Sequence, residues 1–282
     1  MKMRGNAQKI SNKTINIRGY LLDFECPKVM GILNVTPDSF FSKSRTMEKN
    51  EIRERAEKML SSGVDIIDIG GCSTRPGFEE PTLEEEWDRV NIGCEIIREL
   101  DCKVPLSIDT YRSQIARKAI ETYRADIIND ISGGIDNEMW DLVAEKKIVY
   151  VLTHNQEIKA TSSSEVTATL ITDIAIKLHE LYGKGINDVI IDPGFGFSKT
   201  KEQNFAIFRN LEELSRIGNP VMVGVSRKSM IYKTLGTTPE DSLTGTISLN
   251  SMALDRGANI LRVHDMKEAK DTIKLYNEII GS

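Results

Sequence analysis

The stretch VPLSIDTYRSQIARKAIETYRADIINDI, Val104 to Ile131, holds one complete structural unit: a short apolar run, a segment of helical period, and a second apolar run. Strands at Val104 to Asp109 and Asp126 to Ile131 with a helix between them are expected to lie parallel, because a helical crossover returns the chain in the same direction. The alternation recurs. Runs at Val29 to Asn34, Asp65 to Gly70, Ile148 to Thr153, Asp188 to Asp192, Pro220 to Val225 and Asn259 to Val263 bring the strand and helix pairs to about eight. Between runs, Met47 to Ser62, Leu83 to Leu100, Val166 to Tyr182 and Lys201 to Ile217 carry apolar residues at i, i+3 and i+4 with charges opposite. This pattern predicts an α/β fold, a closed (β/α)8 TIM barrel rather than an open doubly wound sheet. Ahead of the first core strand, Ile15 to Ile17 and Tyr20 to Phe24 form a short N-terminal hairpin around Arg18-Gly19, expected to plug the barrel bottom. No Gly/Ser-rich or Pro-rich linker interrupts the pattern, so residues 1–282 are expected to form a single domain.

A chain of 282 residues suits one barrel. Its net charge of −5 argues against nonspecific nucleic-acid binding, so an anionic ligand needs a local cluster of cations. The four cysteines have irregular spacing and no Cys-x-x-Cys pair, which favours neither a zinc site nor a disulfide framework. Met1 to Tyr20 is polar and lacks the apolar region of a secretory signal, and no segment has the length and hydrophobicity to span a bilayer. The expectation is a cytoplasmic protein with no membrane partner.

Polar residues gather where the apolar runs stop. Asn34, Gly71 to Arg75, Asp109, Asn129 with Asp130, His154, Asp192, Ser226 to Lys228, and Arg262 with His264 fall at or beyond strand C-termini. In a barrel these ends share one face, the face that carries active sites. Each also has a plainer reading. Asp109-Thr110 precedes a helix and could cap it, Asn129-Asp130-Ile131-Ser132-Gly133-Gly134 and Asp192-Pro193-Gly194 have turn chemistry, and an isolated Ser-Arg-Lys is usually a solvated rim. Cations after the seventh and eighth strands, beside Thr74-Arg75 and Asn34, favour a phosphate site because barrels bind phosphate there and the guanidinium fork matches its oxygens. Cys72 has no nearby His placed by sequence to activate it and is assigned a structural role.

These residues stand in stretches that resemble the dihydropteroate synthases: GILNVTPDSF at Gly31 to Phe40, DIGGCSTRPG at Asp68 to Gly77, LSIDTY at Leu106 to Tyr111, and IINDISGG at Ile127 to Gly134. The series continues with DPGFGFSKT at Asp192 to Thr200, GVSRKSMI at Gly224 to Ile231 and LRVHD at Leu261 to Asp265. The resemblance implies condensation of a 6-hydroxymethyl-7,8-dihydropterin pyrophosphate with p-aminobenzoate, releasing pyrophosphate, in folate biosynthesis. It implies that Asp109, Asn129, Asp192 and Lys228 hold the pterin. It implies that Asn34, Thr74, Arg75, Arg262 and His264 meet the pyrophosphate, with Asn34 contributing to a Mg2+ site. Phe40, Pro76, Phe197, Lys228 and Ser229 would surround p-aminobenzoate, where sulfonamides also bind. Asp109, Lys228, Arg262 and His264 are the residues implied in catalysis, by a dissociative displacement, and the family resemblance suggests a homodimer through barrel helices.

The chain departs from the family pattern at two places. Phe40 is followed by Phe41-Ser42-Lys43-Ser44-Arg45, where the family commonly continues Ser-Asp-Gly-Gly. Thr153-His154-Asn155 replaces a histidine flanked by methionines, which removes an apolar platform from the pterin wall. Two alternatives stay open on the residues alone: a barrel that transfers methyl from methyltetrahydrofolate to a corrinoid, and a noncatalytic pterin-binding paralogue or structural barrel.

Overall fold

The computed structural model describes residues 13–36, 45–72 and 80–281, with the backbone alone described over 45–48. An antiparallel hairpin, β1 (Thr14–Ile17) and β2 (Tyr20–Asp23), precedes the core strands. These are β3 (Lys28–Asn34), β4 (Ile66–Gly70), β5 (Leu106–Asp109), β6 (Ile127–Asp130), β7 (Val149–Thr153), β8 (Val189–Asp192), β9 (Met222–Val223) and β10 (Ile260–Val263). The helices are α1 (Arg45–Ser61), α2 (Leu83–Glu99), α3 (Ser113–Tyr123), α4 (Asn137–Lys146), α5 (Ser163–Gly183), α6 (Lys201–Arg209), α7 (Leu211–Ser215), α8 (Ser229–Leu235), α9 (Leu243–Asp255) and α10 (Met266–Ile280).

The eight core strands pair in the order β8-β7-β6-β5-β4-β3-β10-β9, every pair parallel. An isolated parallel bridge between Ile191 and Val221, with Ile191 N donating to Pro220 O at 2.8 Å, draws β8 towards β9 and nearly closes the barrel. The strand expected over Pro220 to Val225 shortens to Met222–Val223. Pro220 has no N–H to add to the ladder. The helix expected over Lys201 to Ile217 breaks at Asn210 into α6 and α7. There the Asn210 Nδ2 donates to Thr167 Oγ1 at 3.0 Å, and its backbone leaves the helical region at φ −106° and ψ 22°. The partner is 43 positions away on α5, so the bond that anchors the chain at this break is a tertiary one.

Side-chain alternation divides the strands into two layers. Outward residues such as Ile67, Ile108, Ile128, Tyr150 and Leu261 pack under the helices. Inward residues Met30, Ile66, Ile127, Val149, Val151, Ile190, Met222 and Ile260 form a second apolar cluster with Ile15, Ile17, Leu22 and Phe24 of the hairpin. The hairpin therefore plugs the bottom as its alternating apolar residues predict. Burying each such side chain contributes roughly 1.5–3 kcal/mol. Lys13 latches it by donating to Ser215 O at 3.1 Å and Asn219 O at 2.9 Å, and Arg18 pairs with Asp126 at 3.0 Å. With one end of the barrel filled by hydrocarbon, polar inward positions are left to the other end.

Candidate active site at the barrel mouth

Continuing the inward parity towards the strand C-termini places Asp68 on β4, Ser107 and Asp109 on β5, Asn129 on β6, Thr153 on β7, Asp192 on β8 and Arg262 on β10 around one mouth. Two inward glycines keep it open. A Cβ at Gly70 would lie 3.3 Å from Asn34 Oδ1 and 3.7 Å from Asp109 Oδ2. One at Gly224 would lie 3.8 Å from Arg262 Cβ and 4.0 Å from Asp192 Oδ2. Asn34 and Asp109 thus flank one side, Asp192 and Arg262 the other.

Arg262 donates through Nε to Asp68 Oδ2 at 2.7 Å and through Nη2 to Asp109 Oδ2 at 2.5 Å. Asp68 is fully buried and also accepts from Ser107 Oγ at 2.6 Å and Asn129 Nδ2 at 3.0 Å. Burial pushes the Asp109 carboxyl up to about 7, the Arg262 cation opposing the rise and the Asp68 charge adding to it. Asp109 does not cap the following helix, whose N-cap is Arg112 with no side-chain cap bond. Neighbouring Thr110 instead donates to the buried Glu86 at 2.6 Å, and Arg112 pairs with Glu86 at 2.9 Å.

On the opposite side, Asp192 Oδ1 accepts from Gly194 N at 2.7 Å, so the expected turn and the inward carboxylate coexist. Burial raises the Asp192 pKa against the pull of Lys228. Lys228 donates to Phe195 O and places Nζ 4.6 Å from the centre of the Phe197 ring. Its pKa is lowered to about 8, by burial first, with Asp192 opposing. Ser229 begins α8 directly after it. Lys199 donates to His154 O at 2.7 Å and to Gly194 O and Phe197 O at 3.1 Å, tying the loop after β8 to the end of β7.

His264 is exposed at the rim, its Nδ1 3.0 Å from Ser226 Oγ. Desolvation where the ring packs, and then the Arg262 charge, lower its pKa, so the ring is neutral at pH 7. Thr74, Arg75, Pro76 and Phe40 lie outside the described residues. Burial and then Glu86 raise the Cys72 pKa, which disfavours the thiolate and agrees with its structural assignment.

Three residues grouped with the mouth in the sequence belong elsewhere. Asp130 has outward parity and accepts from Tyr150 Oη at 2.7 Å and Ser132 Oγ at 2.6 Å, the turn that was its plainer reading. His154 turns to Asp173 of α5, Nε2 to Oδ2 at 3.0 Å. Arg227 forms a fork with both Asp265 oxygens at 2.9 Å. Sequence reasoning assigns no role to Asp68, Ser107 or Lys199, yet all three build the mouth. Asp68 was visible as a lone acid within Ile66-Ile67-Asp68-Ile69, sharing its parity with Gly70. Nothing local marked Lys199.

Such a mouth, with carboxylates on two sides, an amide and two cations, suits a flat polar heterocycle carrying an anionic group. The sequence pattern described as pterin binding enzyme matches residues 30–264. The chain belongs to the pterin binding enzyme family. A dihydropteroate synthase of Clostridium beijerinckii is 36% identical over 276 residues, covering 96% of this chain and 99% of that one. A probable bifunctional folylpolyglutamate synthase/dihydropteroate synthase of Haloferax volcanii is 39% identical over 247 residues, and there the match spans 85% of this chain and only 29% of the longer protein. Among solved structures, Xanthomonas albilineans dihydropteroate synthase with 4-aminobenzoic acid superposes with a TM-score of 0.89 at 30% identity, covering 96% of this chain and all of that one. Within the pterin binding enzyme family, these named relatives are synthases rather than methyl-transfer barrels.

Proposed function

We propose that this chain is a dihydropteroate synthase, a transferase that joins 6-hydroxymethyl-7,8-dihydropterin pyrophosphate to p-aminobenzoate in folate biosynthesis. The observation that carries this is the juxtaposition of Asp109, Asn129 and Asp192 with Lys228 and Arg262 at one barrel mouth, in a chain that matches named synthases over almost its full length. The amino and ring N–H donors of a pterin suit Asp109, Asp192 and the Asn129 carbonyl, and its carbonyl and ring nitrogen suit the Lys228 ammonium. Desolvating so polar a ring without matched partners would be costly.

Arg262 and neutral His264 would bind the diphosphate, together with Thr74 and Arg75. A magnesium site is compatible with Asn34, whose Oδ1 stands beside Gly70 and offers a hard oxygen ligand. Among the described residues no cluster of three or more His, Cys, Asp or Glu is placed to hold a metal ion, so substrate oxygens and water would complete the shell. The ion supplies neutralisation of charge on the leaving diphosphate. The bond from the exocyclic methylene to the diphosphate oxygen breaks first, its electron pair leaving with the diphosphate, and the p-aminobenzoate nitrogen then bonds to that carbon and releases its extra proton to the departing diphosphate. Asp109 favours positive charge shared between the methylene and the pterin, so the displacement is dissociative and uses no side-chain nucleophile. Phe197, Lys228 and Ser229, with Phe40 and Pro76, would surround p-aminobenzoate.

Exposed Leu235, Met252, Leu275 and Ile279 on α8, α9 and α10 support a homodimer through barrel helices. No helix among the described residues is long and apolar enough to cross a membrane. Pyrophosphate release by the purified chain, followed with and without p-aminobenzoate, tests the assignment. Release that depends on p-aminobenzoate is expected; none with both substrates present would reject it.

A further inference from the structure

Asp68 lies behind the mouth, fully buried, and every polar partner it has belongs to the site wall. Its Oδ1 accepts from Ser107 Oγ at 2.6 Å, and its Oδ2 accepts from Asn129 Nδ2 at 3.0 Å and from Arg262 Nε at 2.7 Å. Both Asp68 oxygens act as acceptors, one of them towards the Arg262 guanidinium, so the carboxylate admits one orientation of the Asn129 amide, with Nδ2 towards Asp68. The remaining atom, Asn129 Oδ1, is buried with no hydrogen-bond partner among the described residues. Thr153 Oγ1, inward on the adjacent strand β7, is orphaned in the same way. Buried polar atoms without partners are rare in folded proteins, and two of them on neighbouring inward positions mark a wall whose partner is a ligand.

We propose that Asp68 is a positioning residue that sets the hydrogen-bond polarity of the heterocycle pocket: it holds Asn129 with its acceptor presented, so the site takes a ring bearing an amino donor there. The inference rests on the pterin reading of the mouth. Because Asp68 Oδ2 already accepts from Arg262 Nε, the Asn129 amide cannot turn its NH2 to the ligand without setting Oδ1 against that oxygen. A ring carrying a carbonyl where pterin carries its amino group therefore meets acceptor against acceptor. Exclusion by an unmatched buried polar group is a stronger filter than loss of apolar contact. The same carboxylate steadies the Arg262 stem, so pocket polarity and placement of the cation depend on one side chain.

The test measures, by calorimetry, affinity for pterin and for lumazine, its counterpart with a carbonyl in place of the 2-amino group, on wild type and on Asp68→Asn. Wild type is expected to prefer pterin. Asp68→Asn frees the Asn129 amide to rotate, and the preference is expected to narrow by about tenfold, equivalent to about 1.4 kcal/mol. It does not vanish, because Asp192 still faces the ligand. A residue that only supported the fold would lower the melting temperature and the active fraction while leaving the ratio unchanged. An unchanged ratio in folded Asp68→Asn therefore overturns the proposal, while failure of wild type to bind pterin overturns the functional reading instead. If Asp68→Asn does not fold, Asp68→Ser, whose hydroxyl can donate as well as accept and so also frees the Asn129 amide to rotate, is expected to narrow the ratio by about twofold to threefold. An unchanged ratio there is equally decisive.

Discussion

Arg262 Nη2 and Asp109 Oδ2 meet at 2.5 Å across the mouth, although the proposed chemistry turns the first towards a diphosphate and the second towards a pterin. Arg262 shares its charge between Asp109 and Asp68. A pterin diphosphate offers Arg262 and Asp109 each a better-matched partner, donors for the carboxylate and oxygens for the guanidinium.

Arg262→Ala and Lys228→Ala are expected to impair different steps. Loss of Arg262 should lower kcat and raise KM for the pterin diphosphate, with little change in KM for p-aminobenzoate. Loss of Lys228 should weaken both substrates, because Lys228 is assigned to the pterin and to the p-aminobenzoate wall. A charged hydrogen bond is worth about 1.5–3 kcal/mol, so effects of roughly 10- to 150-fold are expected. Steady-state kinetics with each substrate varied in turn checks this, and identical profiles for the two variants would contradict the division.

Pterin affinity should follow a narrow bell against pH. Binding requires Asp109 as carboxylate, and burial raises its pKa to about 7, so affinity rises as pH climbs through that region. Binding also requires Lys228 as ammonium, and burial lowers its pKa to about 8, so affinity falls again as the proton is lost above it. Calorimetric titration from pH 6 to 10 in steps of about half a unit reads both limbs. A flat profile would show that neither group titrates in contact with the ligand.

Removal of divalent ions should abolish most turnover and leave binding of a pterin lacking the diphosphate intact, since Asn34 is assigned to the leaving group. Asn34→Ala should raise the magnesium concentration needed for half-maximal rate. Full activity after exhaustive EDTA treatment would reject the metal role.

Gly194→Ala should damage the site from outside it. Gly194 adopts φ +68°, and a Cβ there would stand 2.1 Å from His154 O. Left-handed backbone costs a residue with a side chain roughly 1–2 kcal/mol before any clash. Because Gly194 N is the donor to Asp192, relief of the clash should displace that carboxylate and weaken pterin binding at least tenfold, an effect of about 1.4 kcal/mol. Wild-type affinity in a folded Gly194→Ala protein would show that Asp192 is held by other means.

The sequence by itself determined the barrel and most of the mouth. Apolar runs alternating with helical-period segments are local signals, and alternation along a strand already separates Asp109 and Asp192 from their outward neighbours. The hairpin plug was legible for the same reason, with Ile15, Ile17 and Leu22 sharing one face. What the tertiary structure decided was partnership. Asp130, His154 and Arg227 stand at strand ends like the site residues, yet Tyr150, Asp173 and Asp265 draw them away. Asp68 looked like one acid in an apolar run until Arg262, 194 positions further along the chain, came to rest on it. Asn210 stops a helix because Thr167 is there to receive its amide. Strand and helix follow from the periodicity of neighbouring residues, whereas the direction of a polar side chain follows from which buried partner satisfies it, and that partner is brought near only when the barrel closes.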